Sequence, residues 1–63
     1  MTVYEFQKTI QEDTMVSISY ERYGFVWAGN AKFISSAFLP SFYERKVVSK
    51  FVDKHGNVSI KVR

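Results

Sequence analysis

The stretch "MVSISYERYGFVWAG", residues 15–29, decides how this chain is read. Along residues 15–20 apolar and small polar side chains alternate. Val16, Ile18 and Tyr20 fall on one side and Met15, Ser17 and Ser19 on the other, the period of a half-buried strand. "ERYG" is a short hairpin connection in which Gly24 supplies a positive φ. Residues 25–29 return as the partner strand, with Phe25 and Trp27 expected to turn one face inward and Val26 and Ala28 on the other.

Upstream, "TVYE" is a capping-box pattern: Thr2 caps the amide of Glu5 and Glu5 reaches back. Val3, Phe6 and Ile10 recur at helical spacing, which predicts a short amphipathic helix over residues 3–12. Alone it would not persist, so it must pack on the sheet. Downstream, residues 30–45 form an irregular connection rich in rings, in which Pro40 ends any preceding helix. "SFYE" (41–44) there repeats the capping-box pattern and predicts one more helical turn. Residues 46–52 and 57–62 read as strands, with Val58, Ile60 and Val62 inward. "DKHG" between them is a turn with Gly56 in the left-handed position. The expected fold is a single α+β domain over residues 1–63: an N-terminal helix packed on a four-stranded antiparallel sheet made of two hairpins.

Composition narrows the function. In 63 residues there are eleven aromatic rings and no cysteine, so disulfides and thiolate metal sites are excluded and the rings must supply much of the core. His55 is the only histidine and falls in the "DKHG" turn, away from any orienting partner. Of the carboxylates, Glu5 and Glu44 have capping roles and Asp53 a turn role, while Glu12 and Asp13 end the helix. The serines lack a histidine partner and there is no glycine-rich phosphate loop. These observations point away from an enzyme, a cofactor or a metal. No apolar run is long enough to span a membrane, and the first ten residues do not have the pattern of a secretory signal.

Charge is unevenly placed. Residues 1–30 carry a balance of −2 and residues 31–63 a balance of +5. A basic half suits an acidic partner, whether a phosphate backbone or an acidic protein face; lysines along a sheet edge also serve solubility. "RYGFVW" (22–27) partly resembles the RNA-stacking strand of RRM domains, with Tyr23, Gly24, Phe25 and Val26 in order. That resemblance implies Tyr23 and Phe25 as base stackers and Arg22 or Lys32 at phosphate. Against it, the chain opens on a helix rather than on a first aromatic strand, and a small core has need of Phe25 and Trp27. The match is therefore read as coincidental.

A second resemblance runs the length of the chain. A helix ending in acidic residues ("QEDT"), a strand pair ending "WAGNAK", a Leu/Pro connection ("FLPSFYERKV") and a last strand alternating Val58, Ile60, Val62 resemble very short α+β accessory proteins of phages and mobile elements of Gram-positive bacteria. The aromatic connection at 33–43 is longer here, and the chain is basic where many such proteins are acidic. The resemblance implies a non-enzymatic protein in a bacterial cytoplasm that modulates or inhibits a host macromolecule, in its sharpest form an anti-CRISPR inhibitor of an effector nuclease. A host protein is then the expected partner, with the chain a monomer or homodimer. The alternative is single-stranded nucleic acid bound by Tyr23 and the basic C-terminal half. Candidate partner-binding residues are Tyr4, Arg22, Tyr23, Tyr43 and Arg45, favoured types at interface hot spots, together with Lys46, Lys50 and Lys54.

Overall fold

The computed structural model describes residues 1–63. Four strands, β1 (Met15–Tyr20), β2 (Gly24–Asn30), β3 (Val47–Val52) and β4 (Val58–Val62), form one sheet in the order β2-β1-β4-β3. One side is covered by helix α1 (Val3–Lys8), helix α2 (Ile34–Ala37) and the 3₁₀ turns Ala31–Phe33 and Pro40–Glu44. The core between the layers is wholly apolar: Val3, Phe6, Val16, Ile18, Ala31, Ile34, Phe42, Val58, Ile60 and Val62. No helix is long and apolar enough to cross a membrane.

Both expected hairpins form, but the sheet is mixed rather than antiparallel. β1 pairs antiparallel with β2, and β3 with β4, while the two hairpins meet through a parallel β1–β4 pair running from Val16↔Val58 to Tyr20↔Val62. The connection between β2 and β3 explains this. With β1 and β4 parallel, β2 and β3 also run in the same direction, at opposite edges of the sheet. The chain must then travel back across the whole sheet, which takes a dozen or more residues. Residues 31–46 make that crossing, and their rings cover the sheet as they pass.

The covering layer also differs from a single helix over residues 3–12. The capping box at Thr2 and Glu5 forms as expected, with the Glu5 amide donating to Thr2 Oγ1 at 3.2 Å and the Thr2 amide to Glu5 Oε1 at 2.8 Å. The helix nevertheless stops at Lys8, where the Thr9 amide and hydroxyl both donate to the Phe6 carbonyl. Beyond it, the Glu12 and Thr14 carbonyls accept from the amides of Lys32 and Ala31. The residues after α1 are thus tied to the crossing connection rather than continuing the helix. The helical turn at residues 40–44 exists, but as 3₁₀ and without a side-chain cap: Leu39 is its N-cap, Pro40 opens it, and Ser41 lies inside it.

Two bulges decide which side chains reach each face. In the β1–β2 ladder Ile18 opposes Trp27 but Ser19 opposes Phe25, leaving Val26 unpaired. An extra residue reverses the face of everything beyond it. Trp27 stays on the covered side, half-buried, whereas Phe25 turns to the other side and is 68% exposed. The expectation that Phe25 lies in the core is corrected. A matching bulge at Val48 places Ser49 and Phe51 opposite Lys61 and Ser59 on the open side. Lys50 stays on the covered side, its Nζ 5.8 Å from the centre of the Phe6 ring.

Candidate functional site

Two surfaces follow from this arrangement. The first is the uncovered face of the sheet. Its inner strands carry small or hydroxyl-bearing residues, Ser17 and Ser19 on β1 and Ser59 on β4, and its outer strands carry Phe25 on β2 and Phe51 on β3. Phe51 is 66% exposed and Met15, at one end of the face, 48%. Phe25 and Phe51 are three strand spacings apart and two residues out of line along the strands, about 16 Å on the diagonal. Towards the Met15 end of the face, away from Phe25, lies a shallow groove of about 170 Å³ bordered by Met15, Ser17, Ala28, Asn57 and Ser59. Lys61, opposite Ser19, is the one charged side chain within the strand rows of this face.

The second surface is the end of the sheet where β1 and β4 finish. Because these strands are parallel, the β1–β2 turn (Glu21, Arg22, Tyr23) and Arg63 after β4 arrive at the same end. Arg45, just before β3, joins them. Tyr20, Glu21, Arg22, Tyr23, Arg45 and Arg63 line a cavity of about 80 Å³. The Arg45 guanidinium carbon sits 4.8 Å above the centre of the Tyr20 ring, a cation–π position. Its Nη1 donates to the main-chain oxygen of Arg63 at 2.8 Å. Arg63 Nε approaches Glu21 Oε1 at 3.5 Å, a long and exposed contact that solvent weakens. Three guanidinium groups therefore face one carboxylate.

This end is braced from below by a row of rings. Tyr23 packs edge-on to Tyr20 at 6.5 Å between centres, Tyr20 edge-on to Phe42 at 6.3 Å, and Phe42 stacks on Phe38 at 3.9 Å. Trp27 completes the row, edge-on to Phe38 at 5.9 Å. The Trp27 ring lies directly over Gly29, where a Cβ would come within 2.7 Å of its Cζ2 atom. Only a residue without a side chain leaves the ring that room. At its solvent end the row finishes in Tyr23, 86% exposed.

Of the residues singled out from the sequence, Arg22, Tyr23 and Arg45 are brought together and the others are not. Tyr4 lies on α1, its ring 4.3 Å below Lys8 Nζ, beside a broad polar cleft of about 410 Å³ between α1 and residues 31–35. Tyr43 is half-buried against the core, and Lys46 is bridged to Thr2. Lys50 covers Phe6, and Lys54 sits in the exposed β3–β4 turn. In that turn Asp53 Oδ1 accepts from the amides of His55 and Asn57, and Gly56 takes φ 84°.

Sequence reasoning did not single out Phe51, Lys61 or Arg63 individually, while Tyr20, placed on the side of Val16 and Ile18, does pack against the core with Arg45 over its ring. The alternation of Ser17 and Ser19 with Val16 and Ile18, and of Ser59 and Lys61 with Val58 and Ile60, carried the signal for the open face. Arg63 carried none, because its neighbours depend on the parallel pairing. Family models, curated proteins and solved structures all give no match to this chain.

Proposed function

We propose that this chain is a small non-catalytic binding protein whose open sheet face docks on a partner protein. The observation that carries the proposal is that face itself: exposed Phe25 and Phe51 on its flanks, small residues between them, and a single lysine. Apolar rings left uncovered cost solvation that a partner recovers, and Phe25, Phe51 and Met15 put that surface on one face. A standard interface takes about 800 Å² from each partner. Set against a total surface of 4433 Å², that is roughly a fifth of the molecule, or one whole face.

The resemblance to phage accessory proteins extends the proposal. The partner is then a host macromolecule, in the sharpest form an effector nuclease, and the mechanism is steric occupation of a surface. Affinity capture from a bacterial host lysate tests this with Phe25→Thr/Phe51→Thr as the control, threonine being chosen because it keeps the strands favourable. A stoichiometric protein retained by the natural chain and lost by the double variant is the expected result. Equal retention by both, or no protein retained by the natural chain, refutes the proposal. Sedimentation of the free protein reports whether a second copy takes the same face.

A further inference from the structure

We infer that the arginine–tyrosine cavity at the sheet end is a phosphate site for single-stranded nucleic acid, with Tyr23 as the platform for the adjoining base. Three observations converge on it. Arg22, Arg45 and Arg63 line one small cavity with Glu21 as the only facing carboxylate, so the cluster carries an excess of two positive charges. A free carboxylate on Arg63, where the chain ends there, removes one more and still leaves the cluster positive. Arg45 is already oriented by Tyr20 and by the Arg63 oxygen, and that bond uses one of its five N–H donors. Pre-orientation of a guanidinium lowers the ordering cost of binding an oxyanion.

The size and the neighbouring ring define the ligand. A cavity of about 80 Å³ admits a tetrahedral phosphate. The Tyr23 ring stands beside the cavity almost wholly in solvent and is held only through its edge contact with Tyr20. A flat exposed ring beside a guanidinium-lined cavity suits a nucleotide, where stacking takes the base and guanidinium groups take the phosphate. The site shares no residue with the sheet face that carries the docking proposal, so either one stands if the other fails.

The test titrates the full chain with inorganic phosphate, with oligo-dT bearing a 5′-phosphate, with the same oligonucleotide lacking it, and with a phosphotyrosine peptide. Side-chain NMR signals of the arginines and tyrosines report the site, and fluorescence anisotropy reports affinity over a salt series. The expected result is movement of the Tyr20, Tyr23, Arg45 and Arg63 signals with every phosphate-bearing probe. The oligonucleotides bind about tenfold or more tightly than inorganic phosphate, because one base stacks. The logarithm of the binding constant falls with the logarithm of salt at a slope of about −0.7 for each phosphate engaged.

Tyr23→Leu is expected to remove about tenfold of the oligonucleotide affinity while leaving inorganic phosphate unaffected. Arg22→Gln is expected to weaken all probes several-fold and to flatten the salt slope. Arg45→Gln is the stronger test of the cavity but risks the fold, so circular dichroism accompanies it. The two exposed substitutions keep the question decidable if it unfolds. Three results overturn the inference: signal changes no larger at this cavity than at Lys8 or Lys54, unchanged oligonucleotide affinity in both Tyr23→Leu and Arg22→Gln, or a phosphotyrosine peptide that binds more tightly than the oligonucleotides.

Discussion

Replacing Phe25 and Trp27 one at a time by alanine tests the bulge that separates them. The two residues are two apart on one strand, and in a regular strand they would share a face and similar costs. Here Ile18 opposes Trp27 and Ser19 opposes Phe25, so they lie on opposite sides. Phe25 is 68% exposed. Full burial of such a side chain is worth about 1.5–3 kcal/mol, so its remaining third contributes about 0.5–1 kcal/mol. Trp27 is half-buried and edge-on to Phe38 at 5.9 Å. Covering about two-thirds or more of a 200–250 Å² side chain stabilises by about 3–5 kcal/mol, and the ring pair adds about 0.5–1.5. A chain of this length has a total stability of roughly 3–9 kcal/mol, so losing Trp27 removes much of it.

Urea unfolding followed by far-ultraviolet circular dichroism measures both variants without relying on the tryptophan signal. In thermal melts of a domain this size each kcal/mol moves the midpoint by about 4–8 °C. Phe25→Ala is therefore expected to fall by less than about 8 °C and Trp27→Ala by more than about 12 °C. Equal losses in the two variants would refute the bulge and return Phe25 to the core.

Two further outcomes follow from local geometry. Gly29→Ala places a Cβ 2.7 Å from Trp27 Cζ2, so the ring must lift from the strand. A loss of about 1–3 kcal/mol and a red-shifted tryptophan emission are expected, and an unchanged spectrum would mean the ring does not lie over Gly29. The carboxyl of Glu5 is held below its ordinary range by the Thr2 amide and hydroxyl; that of Asp53 is raised by desolvation but carried below its range by the amides of Asn57 and His55. Both groups bind protons more weakly folded than unfolded, so their stabilisation is full above the ordinary carboxylate range and is lost as pH falls from that range through the lowered folded values. Urea midpoints should accordingly decline below about pH 4, and Asp53→Asn should soften that decline; a steeper decline in the variant would reverse the assignment.

Much of the fold was legible because single residues dictate it locally. Thr2 and Glu5 specify a helix start, Asp53 and Gly56 a turn, and the alternation through Val16–Ile18 and Val58–Ile60–Val62 two half-buried strands. What was not legible is long-range. The parallel pairing of β1 with β4 leaves no mark on either strand, although the length of the 31–46 connection is its indirect trace. The bulge at Val26 is equally silent, since Phe25, Val26 and Trp27 all suit a regular strand. One unpaired residue reversed the reading of "RYGFVW": Phe25 reaches solvent beside Tyr23, while Trp27 alone enters the aromatic row. The candidate site was half legible for the same reason. Arg22, Tyr23 and Arg45 are residue types that suit recognition, but their meeting with Arg63 depends on a strand direction that composition cannot encode.

The central position of β4 has a consequence for how the protein is made. Residues 15–30 leave the ribosome as a hairpin whose inner edge, on β1, awaits a partner more than twenty-five residues further along the chain. Until β4 emerges, neither the parallel ladder nor the burial contributed by Val58, Ile60 and Val62 exists, and the rings of residues 31–46 have only half a sheet to cover. Folding is thus deferred until residues 58–62 have emerged. A ribosome that stalls before residue 58 would release an unpaired β1 edge and a tract of uncovered rings, the combination that quality-control proteases and chaperones bind.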